Sequence, residues 1–107
     1  MREVDQAAFA TALTEGALVL DVREPGEYSA GHVPGAQLIP LNRLPQYVSD
    51  LPRGQRIYVI CASGNRSLAA AGFLANAGLD AVSVAGGTGA WQRAGRAIVL
   101  GARPTAV

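Results

Sequence analysis

Three short runs of β-forming residues alternate with helical patterns along the chain, and this alternation constrains the fold more than any other feature. The runs are ALVLDV, QRIYVIC and DAVSV, and their continuous apolar character is typical of strands covered on both faces. The segments between the runs are too long for hairpins and carry helical spacing of apolar residues. The sequence therefore predicts an α/β fold with a mostly parallel central sheet and helices on both faces.

The first half of the chain carries clear start and stop signals. A helix is predicted within VDQAAFATALTEG, with Asp5 as its N-cap and Gly16 as its stop. The segment rich in glycine and proline that follows the first strand predicts a brief helical turn over 24–30, a loop and a short strand over 36–39. Another helix is expected after Pro40, shortened or kinked by Pro45.

In the second half, a long helix is predicted in SLAAAGFLANAGL and a short helix in GTGAWQRAG. The remainder, about 98–107, is expected to be a surface segment that frays toward the C-terminus. With 107 residues, half of them hydrophobic, the chain suits one compact domain over 1–107.

Charge and composition exclude several classes of function. The net charge is +1 and the nine basic residues, all arginines, are scattered, which argues against nucleic acid as a partner. One histidine and one cysteine provide no spacing for metal ligands, and no cofactor is expected. No run approaches the roughly 18 apolar residues of a membrane span, and no signal peptide is recognised. A free thiol suits a reducing compartment, so a soluble, cytoplasmic protein is expected.

The only cysteine, Cys61, ends the second buried run and is followed by a small polar loop. A lone cysteine in a strand is more often a core residue, but this loop is unsuited to a core. Its backbone N–H groups can turn inward around an anion, and the next helix adds its positive end. We therefore expect a lowered thiol pKa and a nucleophilic thiolate at Cys61, with Gly64 supplying an unusual backbone angle.

Three segments in order resemble the rhodanese family. LDVREPGEYSAGHVPGA is similar to its N-terminal signature, CASGNRS to the active-site loop of its single-domain members, and VAGGTGAWQRAG to its C-terminal signature. Together the segments cover about 20–95. The resemblance implies a rhodanese-like domain and a thiosulfate:cyanide type of sulfurtransferase.

In that family the cysteine attacks the outer sulfur of a donor, carries it as a persulfide and passes it to an acceptor. The resemblance implies this role for Cys61, with thiosulfate, a small persulfide or a protein persulfide as donor and cyanide or a thiol as acceptor. Arg66 would orient the anionic end of the donor. Ala62 stands where many thiosulfate-using members carry a basic residue, which favours a persulfide donor. The active-site loop comprises Ala62, Ser63, Gly64, Asn65, Arg66 and Ser67.

Two residues at the end of the first predicted strand, Asp21 and Arg23, are candidate supporting residues. They either position or charge-balance the site, or form a structural ion pair beneath it, and the sequence leaves both readings open. Glu24 and Glu27 are expected to be surface residues or caps. His32 lies in a GHVPGA turn, for which a structural role is expected.

Two other functions remain as alternatives. A cysteine, a loop and an arginine at a helix start also describe the phosphate cradle of tyrosine phosphatases. The phosphatase cradle has five residues between cysteine and arginine, whereas this chain has four, 62–65. The loop of this chain is therefore expected to be too tight for a phosphate. A non-enzymatic binding or sensing module of the same fold is the second alternative, and retention of Cys61 and Arg66 argues against it.

Overall fold

A five-stranded sheet forms the centre of the molecule in the computed structural model, which describes residues 2–106. The strands are β1 (Glu3–Val4), β2 (Leu18–Asp21), β3 (Gln37–Leu38), β4 (Ile57–Ile60) and β5 (Ala81–Val84). Their order is β1-β5-β4-β2-β3, and all four pairings are parallel. The predicted parallel sheet is confirmed, and the carboxyl ends of its strands lie together at one edge of the sheet.

Within residues 2–106, five α-helices lie around the sheet. They are α1 (Gln6–Thr14), α2 (Pro25–Ala30), α3 (Leu44–Tyr47), α4 (Asn65–Asn76) and α5 (Gly87–Arg93). Successive side chains of a strand point to opposite faces, so Val59 of β4 packs with α3 and α4 while Ile60 packs with α1, α2 and α5. Both faces are thereby covered, as the continuous apolar runs predict.

Local signals in the sequence describe α1 well and the segment after Pro40 less well. The carboxylate of Asp5 accepts a hydrogen bond from Ala8 N at 2.8 Å, which confirms the predicted N-cap. After Pro40 the chain forms two 3₁₀ turns, Leu41–Arg43 and Val48–Asp50, on either side of the short α3, instead of one helix. Pro45 lies in the first turn of α3. A backbone N–H at this position would have no partner within the helix, so a proline there removes no helical hydrogen bond.

The C-terminal segment lies on the surface, and hydrogen bonds join it to the rest of the domain as far as Pro104. Val99 and His32 form an antiparallel bridge with N–H to carbonyl distances of 2.9 and 3.0 Å. Gly101 N donates to Ser29 O at 2.8 Å, and the buried imidazole of His32 contacts Arg103 O at 2.8 Å. The histidine thus joins the loop after α2 to the end of the chain, which is the structural role expected of it.

No helix within residues 2–106 is both long enough and apolar enough to cross a membrane.

Candidate active site

The cysteine lies at the carboxyl edge of the sheet, where parallel α/β folds place their ligands. Cys61 follows β4 directly, and the loop 62–64 leads into α4 at Asn65. The residue is only 1% exposed, so its sulfur sits at the floor of the loop. Asn65 and Ser63 are exposed and form the rim. The predicted position between a strand end and a helix start is therefore what the structure shows.

Two backbone N–H donors and one hydroxyl lie within hydrogen-bonding distance of the sulfur atom of Cys61. The backbone N–H groups of Gly64 and Ser67 point at Sγ, with N···S distances of 3.1 and 3.3 Å. The hydroxyl oxygen of Ser67 lies 3.3 Å from the same sulfur. Gly64 adopts φ +111°, a left-handed conformation that other residues resist, and this angle turns its N–H inward. The cradle of inward-pointing N–H groups expected from the sequence is present.

Two opposing effects determine the pKa of the Cys61 thiol. Burial is the largest of the individual effects, and it raises the pKa because it disfavours the charged thiolate. Hydrogen bonds from the Ser67 hydroxyl and from the N–H groups of Ser67, Gly64 and Ser63 lower it, and together they prevail. The thiol pKa is therefore held below its ordinary value, which favours a nucleophilic thiolate.

The first turn of α5 fixes the backbone of the loop from behind. Thr88 N donates to Cys61 O at 2.8 Å, and Gly89 N donates to Ala62 O at 2.9 Å. This close approach requires Gly87, because a Cβ there would lie 2.7 Å from the Ala62 carbonyl oxygen and closer still to that of Cys61. With their carbonyls bound to α5, the loop peptides cannot turn away from the sulfur without breaking these bonds.

Arg66 is engaged by a carboxylate, which the sequence did not reveal. Its two terminal amino groups donate to the two carboxylate oxygens of Glu27 on α2, at 2.8 and 2.9 Å. Both side chains are partly exposed, at 38% and 37%. The same carboxylate accepts a hydrogen bond from Glu24 N at 3.0 Å as part of a capping box. Glu27 is thus the expected cap of α2 and also the partner of Arg66.

The interaction between Arg66 and Glu27 shifts the pKa of both side chains. The hydrogen bond from Arg66, with the bond from the Glu24 N–H, lowers the pKa of Glu27 from 4.5 to about 2. The pKa of Arg66 is raised by Glu27, and less strongly by the nearby charges of Cys61 and Asp21. A thiolate at Cys61 would therefore attract the guanidinium of Arg66 electrostatically, while Glu27 balances the charge of that guanidinium.

Asp21 and Arg23 form a buried ion pair. The Nε of Arg23 donates to the Asp21 carboxylate at 3.0 Å and its Nη2 at 2.9 Å, with side chains 7% and 0% exposed. A further bond from Nη2 reaches Gly31 O at 2.8 Å and ties the end of β2 to the end of α2. The pair supports the helix that carries Glu27, and its described hydrogen bonds do not include the active-site loop.

A second hydroxyl that the sequence did not single out lies behind the cradle. Ser83 of β5 is fully buried, and its Oγ is 2.7 Å from the Oγ of Ser67. The run DAVSV predicts only a buried strand, and nothing in the sequence brings Ser83 to Ser67. Within the described part of the chain, no three His, Cys, Asp or Glu residues could together hold a metal ion.

Comparison with known proteins gives a consistent result. The sequence model of a family described as Rhodanese-like domain matches residues 5–94. A sulfurtransferase of Allochromatium vinosum is 33% identical over 92% of this chain and 95% of its own length. The thiosulfate sulfurtransferase GlpE of Pseudoalteromonas translucida is 32% identical over 75% of this chain and 77% of its own. A crystal structure of a rhodanese-related protein from Thermoplasma volcanium superposes with a TM-score of 0.87 at 38% identity, covering 94% and 99% of the two chains.

Proposed function

The chain belongs to the rhodanese-like domain family, and on that basis we propose that it is a sulfurtransferase that carries sulfur as a persulfide on Cys61. The observation that supports this most directly is the set of polar groups around Sγ, two N–H donors and the hydroxyl of Ser67. Donors fixed around a buried sulfur favour its anionic form, and so favour both the attacking thiolate and the persulfide anion that follows it.

The reaction proceeds in two displacements. The Cys61 thiolate attacks the outer sulfur of the donor, an S–S bond forms at Sγ, and the bond to the donor breaks. Its electron pair leaves with the donor, as sulfite from thiosulfate or as a thiolate from a persulfide. Cyanide or a thiolate then attacks the outer sulfur on Cys61 and takes it as thiocyanate or a new persulfide, and Sγ departs as thiolate.

The charges at the loop favour a persulfide donor over thiosulfate. The side chains of 62–65 are neutral, and both terminal amino groups of Arg66 are bound by Glu27. Thiosulfate carries two negative charges and would have to draw Arg66 away from that carboxylate. A persulfide of a small thiol or of a protein demands less positive charge. We therefore propose a thiol-borne persulfide as the preferred donor and a thiol as the acceptor in the cytoplasm, where free thiols stay reduced.

Mass spectrometry of the intact protein tests this proposal. After incubation with glutathione persulfide or thiosulfate, we expect one added sulfur atom on Cys61, with faster loading from the persulfide. Cys61→Ser should fold normally, accept no sulfur and release no thiocyanate from cyanide. Undiminished turnover in that variant would refute the mechanism. Phosphate release from an aryl phosphate by a preparation that forms no thiocyanate would favour a phosphatase, and binding without either reaction a non-enzymatic module.

A further inference from the structure

Ser83 is an unusual residue for its position in the sheet. It lies in β5, which pairs with β1 on one side and β4 on the other, and it is fully buried. The valines at 82 and 84 that flank it in the sequence face the other side of the sheet. A buried hydroxyl is costly unless it forms a hydrogen bond. The partner that the structure gives this hydroxyl is the Oγ of Ser67, at 2.7 Å. Any effect of the Ser83 hydroxyl on the loop around Cys61 must therefore pass through Ser67.

Ser67 has more acceptors around it than it has hydrogens. Its Oγ lies 3.3 Å from Sγ of Cys61, 3.2 Å from Gly64 O and 2.7 Å from Oγ of Ser83. One hydroxyl can donate only one hydrogen bond at a time, while its two lone pairs can accept others. The direction in which the hydroxyl points must therefore depend on whether the sulfur carries a proton.

With a neutral thiol, the S–H group can donate to Ser67, which then donates to Gly64 O. A thiolate can only accept, so stabilising it requires the Ser67 hydrogen to turn toward Sγ. Gly64 O then still accepts a bond from Leu68 N at 3.2 Å and is not left unpaired. The oxygen of Ser67 is left as an acceptor, and Ser83 is placed to donate to it.

We propose that Ser83 is a positioning residue, whose hydroxyl donates to Ser67 and orients the Ser67 hydroxyl toward the sulfur of Cys61 when that sulfur is anionic. The importance of this for catalysis rests on the proposed function, in which the thiolate is the attacking species. Two hydroxyls in series polarise one another, so the bond that reaches the sulfur is stronger than one from Ser67 alone. No proton leaves the pair, since each hydroxyl only rotates.

The thiolate fraction of Cys61 can be measured without any sulfur donor, from the pH dependence of alkylation by iodoacetamide. Ser83→Ala should lower that fraction about threefold at a pH below the thiol pKa, and Ser67→Ala about tenfold, because these changes remove an indirect and a direct hydrogen bond. In the Ser67→Ala background, Ser83→Ala should have no further effect. An equal loss with and without Ser67, or no loss at all, would overturn the proposal.

Matched variants separate orientation of the hydroxyl from general loosening of β5. Ser83→Thr and Ser83→Val have nearly the same shape and differ in the hydroxyl, so only the threonine variant should retain the wild-type thiolate fraction. This pair keeps the test valid if Ser83→Ala fails to fold. Val82→Ala removes buried volume from the same strand, and it should lower the melting temperature without changing the thiolate fraction. Equal thiolate fractions in the threonine and valine variants would also overturn the proposal.

Sulfur loading, followed by mass spectrometry in the same variants, separates the two proposals. If wild-type protein alkylates as expected but accepts no sulfur, the proposed function fails while the orienting role of Ser83 stands. If wild-type protein accepts sulfur but Ser83→Ala alkylates like wild type, the role of Ser83 fails while the proposed function stands.

Discussion

Replacing Glu27 by glutamine tests how the ion pair with Arg66 contributes to stability. The pKa of Glu27 falls from 4.5 to about 2, which at about 1.36 kcal/mol per pKa unit sets an upper bound of about 3 kcal/mol. Both side chains are more than a third exposed, so solvent screening reduces the expected contribution to about 1 kcal/mol. The glutamine carbonyl can still accept the bond from Glu24 N, so the cap of α2 is retained.

The pH dependence of this effect has a definite sign. Because the pKa of Glu27 is lowered on folding, its contribution is fully present above about pH 4.5 and is lost as the pH falls toward 2. In urea unfolding, Glu27→Gln should be about 1 kcal/mol less stable than wild type near neutral pH, and the difference should vanish near pH 2. The exposed Glu15→Gln should stay within about 0.5 kcal/mol of wild type throughout. A Glu27→Gln profile that overlies the wild-type profile would refute the reasoning.

The same variant addresses donor choice. Glu27→Gln releases both terminal amino groups of Arg66 from a carboxylate, and these groups can then bind an anionic donor. An ion-pair contribution of about 1 kcal/mol corresponds to about a fivefold faster loading of Cys61 from thiosulfate, with little change for glutathione persulfide. Equal acceleration for both donors would show that Arg66 does not discriminate by donor charge.

Two further substitutions test the support of the loop by the fold. Gly87→Ala forces a Cβ against the carbonyls of Cys61 and Ala62 and should cost about 3 kcal/mol or more in denaturant unfolding, whereas Gly72→Ala, which meets nothing within 4 Å in α4, should stabilise slightly. Asp21→Asn leaves the guanidinium of Arg23 buried without a countercharge and should cost about 3 kcal/mol by the same measurement, and a loss below about 0.5 kcal/mol would contradict the structural role of the pair.

The parts of the fold and site that the sequence predicts are those encoded over a few neighbouring residues. The cap at Asp5 is a contact across three residues, and the cradle around Cys61 lies within six residues of it. Such contacts follow from local backbone geometry and side-chain chemistry. The position of Cys61 at a strand end likewise follows from the pattern of its own run.

The parts that sequence analysis missed depend on contacts distant in the chain. Glu27 and Arg66 are 39 positions apart, and their pairing follows from how α2 packs beside the start of α4. Ser67 and Ser83 are 16 apart and meet only through the parallel register of β4 with β5. β1 has two residues and is defined by its pairing with β5, so no periodicity could reveal it.

The hydrogen bonds from Thr88 and Gly89 to the carbonyls of Cys61 and Ala62 bear on the order in which the protein matures during synthesis. The ribosome releases the cysteine and its loop well before α5, and before Ser83. Until those later residues emerge and dock, the loop peptides lack the contacts that hold them, and we expect Cys61 to behave as an ordinary thiol. We therefore expect the lowered thiol pKa of Cys61 to arise only after α5 has been made and has docked on the loop.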